Sequence, residues 1–170
     1  MKTQYSDIIS GYHQHMLGNS AAAKDDFIKI LNLEDKEIDV LEYGSGIDAK
    51  YFLNKYSNIK NYKGIDNSEE MLDKFREIVN DSRTKIELAN IDEFQSKKAS
   101  YDLVFGMCSI HYTNNLELLM KRVHASLRKG GYFCFRDAHP LVGFFRKKSK
   151  RYDVKEIVEF PLAGVVVVLP

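Results

Sequence analysis

The stretch VLEYGSGID at residues 40–48 constrains this chain more than any other. An apolar run at 38–41 reaches an acid, Glu42, and opens into a glycine turn, Gly44, Ser45 and Gly46, before a helix-compatible segment. That order reads as a buried strand whose carboxyl end turns sharply into a helix, with the glycines letting a ligand approach the backbone. Open α/β sheets hold their ligands at the carboxyl edge of the strands, which is where Glu42 falls.

The rest of the chain alternates around that motif. Ahead of it, Tyr5, Ile8, Ile9, Tyr12, Met16 and Leu17 fall at helical spacing over 4–17, and Ser20 can cap a second helix running to 33. After it, the pattern predicts a helix over 48–56, a strand over 62–66 and a helix over 68–79 capped by Ser68. A strand over 85–89 and a turn or short helix over 90–94 follow. The nearly continuous apolar strand 101–107 reads as one covered on both faces. A helix over 115–128, with Leu116, Leu119, Met120, Val123 and Leu127 facing inward, is expected to stop at Gly130 and Gly131, and 131–136 makes a fifth strand. Strands alternating with helices at this spacing predict a doubly wound, mainly parallel sheet with helices on both faces and an N-terminal helical cap.

With 170 residues the chain is one domain by size, divided into N-terminal helices (1–35), a core (36–140) and an incomplete C-terminal segment (141–170). A net charge of +1 argues against nucleic acid or an anionic membrane as partner, and the basic run 147–151 reads as a solvated stretch. The longest apolar run, 162–169, is too short to cross a bilayer, and the first residues lack the apolar core of a signal peptide, so a cytoplasmic location is expected. Cys108 and Cys134 read as buried free thiols. No metal site is expected: His13 and His15 cannot share a helix face, and His124 reads as a surface residue. The β-branched run 165–169 is expected to pair as a strand, in this sheet or against a second copy in a homodimer.

Three acids end three successive strand segments: Glu42, Asp66 and Asp92. In a parallel sheet those ends share one edge, so the carboxylates can line one crevice. Asp66, 24 residues after Glu42, suits both ribose hydroxyls of a nucleoside, because a carboxylate accepts two hydrogen bonds and donates none. Asp92 suits an exocyclic amine, and Glu42 an ammonium or an ordered water. The set favours a cationic nucleoside over a pyrophosphate.

At this point the sequence resembles the class I S-adenosylmethionine-dependent methyltransferases of small-molecule type, over roughly residues 36–140. VLEYGSG at 40–46 resembles their glycine motif, GIDNSEEML at 64–72 their ribose-binding segment and ANID at 89–92 their adenine-side loop. YDLVFGMCSIH at 101–111 and LRKGGYF at 127–133 resemble their fourth strand and the turn into the fifth. The resemblance implies a Rossmann-like fold and S-adenosylmethionine as cofactor. It places Glu42, Gly44, Ser45, Gly46, Asp66, Asn67, Met71, Asn90, Ile91, Asp92 and Met107 against that cofactor, with Tyr12 closing over it. It implies methyl transfer to a small molecule by in-line displacement, in which His111, following strand four, is the candidate base. His139, just after strand five, is a further residue on the substrate side, though a turn histidine reads as well.

The chain departs from the family twice. Asp48 stands where a third glycine is usual, and only about thirty residues follow strand five, so the last strands of the family's sheet are shortened or missing. Two other readings stand beside the enzyme. One is a cofactor-binding but idle or truncated module that needs a partner. The other is a nicotinamide-dependent dehydrogenase, whose fingerprint Gly44, Gly46 and Ala49 match. Glu42 before the turn, Asp92 and the lack of a substrate domain count against it.

Overall fold

The computed structural model describes residues 25, 28–29, 31–46 and 49–137. The first N-terminal helix, Tyr12, His13, His15, Asp48, His139 and everything after it, with the expectations that concern them, lie outside the described residues. Of the second N-terminal helix, the described part gives way to a turn at 31–32 instead of running to 33. Asn32 has φ +51°, a left-handed conformation that stops a helix.

From there the chain runs β1 (Ile38–Tyr43), α1 (Ala49–Lys55), β2 (Ile59–Asp66), α2 (Glu69–Ile78), β3 (Thr84–Leu88), β4 (Tyr101–Met107), a 3-10 turn (Ile110–Tyr112), α3 (Leu116–Ser126) and β5 (Leu127–Arg136). The five strands are parallel, in the order β3-β2-β1-β4-β5. The order reverses at β1, whose two neighbours are β2 and β4. A crevice opens at such a point, outside the carboxyl ends of the strands.

Side-chain alternation along the central strands builds two cores. Val40, Leu103 and Phe105 face the layer formed by Phe52, Leu53, Tyr62, Phe75 and Val79, with Ile28, Leu31 and Leu33 beneath it. Leu41, Tyr43, Val104 and Phe133 face Leu119 and Val123 of α3, together with Ile110 and Phe94. This is why β4 needs apolar residues at successive positions. Phe105 also meets Phe52 edge-on at 5.7 Å, fixing α1 over the sheet.

Helix starts follow the capping rules. Ser68 Oγ accepts from the Met71 amide at 3.3 Å, and Asn115 Oδ1 accepts from the Leu118 amide at 3.0 Å. Two expectations need correction. α3 ends at Ser126, and Leu127 already pairs with Tyr101, but the register then jumps so that Leu103 faces Tyr132. The intervening residues loop out, with Gly130 at φ +79°, because Arg128 is drawn aside to the amino ends of β1 and β4. There it pairs with Asp39 at 2.6 Å and with Asp102. Leu116, expected inward, is 55% exposed, since the buried stripe of α3 is Leu119, Val123 and Ser126.

The end of α1 is held by a residue that carried no sequence signal. Arg83 donates to the carbonyls of Leu53 (2.7 Å), Tyr56 (3.1 Å) and Ile59 (3.2 Å), while Asp81 grips its guanidinium at 2.6–3.2 Å. A fixed cation at a helix carboxyl terminus satisfies otherwise orphaned carbonyls and opposes the helix dipole. Arg83→Ala is expected to lower the unfolding free energy by about 2–3 kcal/mol. Arg83→Lys should recover little, since a single ammonium cannot serve three carbonyls from one plane. Urea denaturation at unchanged slope measures both.

Candidate functional site

The carboxyl end of β1 folds back on its neighbours. The amides of Gly44 and Ser45 both donate to the Ile65 carbonyl on β2 at 2.9 Å, a turn that requires Gly44 at φ +77°. The Ala49 amide then donates to the Gly46 carbonyl at 3.2 Å as α1 begins. Ser45 is fully buried, and its hydroxyl donates to Glu42 Oε2 at 3.3 Å. The Tyr62 hydroxyl donates to the same oxygen. Glu42 is 1% exposed, so its carboxylate is built into the end of the sheet. Tyr62 was not singled out from the sequence, although Glu42 pairs with Gly64 and Tyr62 lies two residues before it on the same face.

At two glycines the missing side chain makes room for a protein neighbour. The space a Gly44 side chain would need is taken by Ser109, whose Cβ would be 2.6 Å from it. Ser109 Oγ donates to the Tyr43 carbonyl at 2.6 Å, which seats the segment after β4 on the glycine turn. Gly64 likewise makes room for Ser45, whose Oγ would be 2.1 Å from an added Cβ.

Asp66 ends β2 beside this turn. Its Oδ1 accepts from the Ser68 amide at 2.9 Å, and no cation pairs with it among the described residues. Burial pushes its carboxyl up to about 6, against the lowering effect of the Ser68 and Asn67 amides. This carboxylate therefore keeps acceptor capacity in a half-buried place. Asn67 lies exposed beside it, while Met71 is buried one turn into α2.

Asp92 lies in the loop after β3, four residues beyond Leu88. Its carboxylate accepts from the Thr113 hydroxyl, from the Asn114 amide at 3.0–3.1 Å and from the Asn114 side chain at 2.6 Å. The Thr113 hydroxyl, with Asn114, holds its carboxyl below the usual carboxylate range. Arg122 donates to its carbonyl. Asp92 thus ties the loop after β3 to the loop after β4. Asn90 turns the same loop by accepting from the Asp92 amide at 2.9 Å, and Ile91 packs on the α3-side core. Met107, at the end of β4, packs against the other core.

His111 lies in the 3-10 turn after β4. Its Nδ1 meets Asp137 Oδ1, and its main-chain amide donates to Asp137 Oδ2 at 3.0 Å. Asp137 was missed in the sequence reading. The signal was present, because it is an acid at the carboxyl end of an apolar strand, as Glu42 and Asp66 are. Among the described residues no group of three or more His, Cys, Asp or Glu is placed to hold a metal ion. Nor is any helix long and apolar enough to cross a membrane.

Comparison with known proteins agrees with this geometry. Residues 41–135, more than half of the chain, match the family model described as a methyltransferase domain. An S-adenosylmethionine-dependent methyltransferase from Mesorhizobium loti is 26% identical, with a TM-score of 0.58 over 66% of this chain and 54% of its own. One assigned to the same activity from Listeria monocytogenes is 24% identical, with a TM-score of 0.61 over 73% of this chain and 56% of its own. The plantazolicin methyltransferase BpumL, in complex with SAH, is 18% identical, with a TM-score of 0.71 over 87% of this chain and 58% of its own. The chain thus spans little more than half the length of these structures. No curated protein sequence matches it.

Asp66 gives the site a measurable cost. Its folded value of about 6 lies above the ordinary aspartate value, so its favourable contribution is complete below about pH 4 and is lost as pH rises through 6. Asp66→Asn keeps an acceptor for the Ser68 amide and removes the buried charge. It is expected to stabilise the ligand-free protein by about 1–2 kcal/mol at pH 7–8. The gain should vanish below about pH 4, which denaturation at several pH values will show.

Proposed function

The chain belongs to the methyltransferase domain family, and from that premise we propose that it binds S-adenosylmethionine at the carboxyl edge of β2, β1 and β4 and methylates a small-molecule acceptor by in-line displacement. The observation that carries this reading is Asp66: a carboxylate with acceptor capacity left, no cation beside it among the described residues, and a position at the strand-order reversal next to the glycine turn. Two vicinal ribose hydroxyls are the donors that such a group lacks.

The donor set fits that cofactor. Asp66 would hold the ribose, with Asn67 and Met71 on its α2 side. Gly46 and Ser45 would border the amino-acid moiety, and Glu42 would act beneath it by fixing Ser45. Asn90 and Ile91 would flank the base, with Asp92 holding their loop. Met107 would floor the pocket, and Tyr12 would close it. When bound, the cofactor supplies a methyl group already activated on a sulfonium. What remains for the protein is to align the acceptor and exclude water, and alignment of that kind supplies on the order of 7–11 kcal/mol. His111, one 3-10 turn beyond Ser109, is the candidate base.

A second reading has a specific observation behind it. Because the chain spans 54–56% of the two solved structures of highest identity named above, it can be a cofactor-binding unit that transfers no methyl group without a partner or further chain.

Calorimetry with S-adenosylmethionine and its demethylated product tests the shared premise. Asp66→Ala should weaken binding at least about tenfold, the loss of charge-assisted hydrogen bonds. Wild-type affinity should fall as pH drops below about 6, because protonation of Asp66 removes its charge and turns one of its two accepting oxygens into a donor. No measurable affinity for either ligand would sink both readings. Binding without transfer across a panel of small acceptors would leave the idle unit.

A further inference from the structure

We propose that Asp137 positions His111 as a base, and that the acceptor is therefore a nucleophile that arrives carrying its proton: an alcohol, phenol or ammonium group. This rests on the methyltransferase reading for the acceptor, though not for the His111–Asp137 pair itself.

Adjacent strands deliver the two residues to one place. Met107 of β4 pairs with Arg136 of β5, and the Cys108 amide donates to the Arg136 carbonyl at 2.7 Å. Asp137 follows at once on β5, and His111 follows within one tight turn after β4. Both carboxylate oxygens of Asp137 grip the same residue, Oδ1 on the ring Nδ1 and Oδ2 on the main-chain amide. Capping the turn would account for the second bond and leaves the first unexplained.

Burial is unequal across the pair. The Asp137 side chain is 14% exposed and the His111 ring 45%. The carboxylate is the inner, anchored partner. The ring is the outer one, steadied by Tyr112 at 4.1 Å between centroids. A carboxylate on Nδ1 fixes the proton there and leaves Nε2 with its lone pair. Nε2 makes no hydrogen bond among the described residues. The segment is also anchored to the cofactor edge, because Ser109 lies directly on Gly44 and Tyr43.

A base so arranged has work only if the acceptor must lose a proton. From an alcohol or phenol, Nε2 takes the proton of X–H as the bond from X to the methyl carbon forms. From an ammonium it takes the proton first, freeing the nitrogen lone pair that then forms that bond. The bond from that carbon to sulfur breaks, its electron pair remaining on sulfur. The charge gained by the ring is balanced by Asp137, and the open ring then returns the proton to water. A thiolate or carboxylate acceptor has no such proton, so the pair would be idle toward it.

Two measurements on the full chain test this. In ¹⁵N NMR without cofactor, the His111 ring, assigned by its absence from His111→Gln, should carry its proton on Nδ1 in the neutral form. Asp137→Ala should let the Nε2–H form appear, and Asp137→Glu should suppress it again. In single-turnover transfer, Asp137→Ala and His111→Gln should slow phenol, alcohol or amine acceptors about a hundredfold. Carboxylate acceptors, which arrive without a proton, should change by less than about threefold, and cofactor affinity by less than about twofold, because neither residue is assigned to cofactor binding. If Asp137→Ala fails to fold, Asp137→Asn keeps an oxygen for the His111 amide while removing the charge, and is judged by the same readouts. An Nε2–H ring in the wild type, or equal slowing of both acceptor classes, overturns the proposal. Failure of cofactor to bind would instead remove the methyltransferase reading and leave the NMR result to judge the pair.

Discussion

A carboxylate at the end of the central strand is 1% exposed, and much of the site follows from that fact. An ionised group in such a place is tolerated only where donors meet it, because desolvation otherwise costs several kcal/mol. Glu42 draws its donors from two directions, the Tyr62 hydroxyl on β2 and the Ser45 hydroxyl one turn ahead. Ser45 can reach it only because Gly64 has no side chain, and because Gly44 adopts φ +77° so that two successive amides meet the Ile65 carbonyl. Gly44 in turn admits Ser109, which brings the loop after β4 down onto the turn. One buried acid thus links β1, β2 and β4 at the point where the strand order reverses. A side chain added at Gly64 or Gly44 would strike that linkage before it reached any ligand.

The parts of this fold legible in the sequence are those fixed by local periodicity. Ser68 and Asn115 announce their helices because a short polar side chain ahead of an apolar stripe has few other uses. β4 announces itself by apolar residues at consecutive positions, which only a strand between two cores requires. Non-local demands were not legible. The helix that should have run to 128 ends at Ser126 because Arg128 is pulled toward Asp39 and Asp102, 89 and 26 residues away in the chain. Arg83 looked like one more charge in a polar loop, and its role depends on three carbonyls that only the folded segment from the end of α1 to the start of β2 presents. Leu116 matched the α3 stripe by spacing, yet its place in the first turn leaves it beyond the edge of the core.

The same division separates the acids of the site. Position at a strand end was readable for Glu42, Asp66 and Asp92, whereas the partners of each were not. In the ligand-free protein Glu42 is hydrogen-bonded inside the end of the sheet and Asp92 joins two loops. Asp137 obeyed the same strand-end rule and was overlooked because its partner, His111, is 26 residues earlier and on another strand.

These four carboxylates also show how a binding edge can be stable overall and still keep one reactive place. Three of them have partners that match their charge or hydrogen-bonding capacity: Tyr62 and Ser45 for Glu42, Thr113 and Asn114 for Asp92, and His111 for Asp137. Asp66 alone lies beside a turn with only backbone amides for company, and burial raises its carboxyl to about 6. A residue whose ionised form is disfavoured in the empty protein gains most when a ligand brings donors to it. The differential interaction of a bound diol is largest where the free protein has satisfied least. A pocket with all four acids equally well partnered would be the more stable fold and the weaker binder.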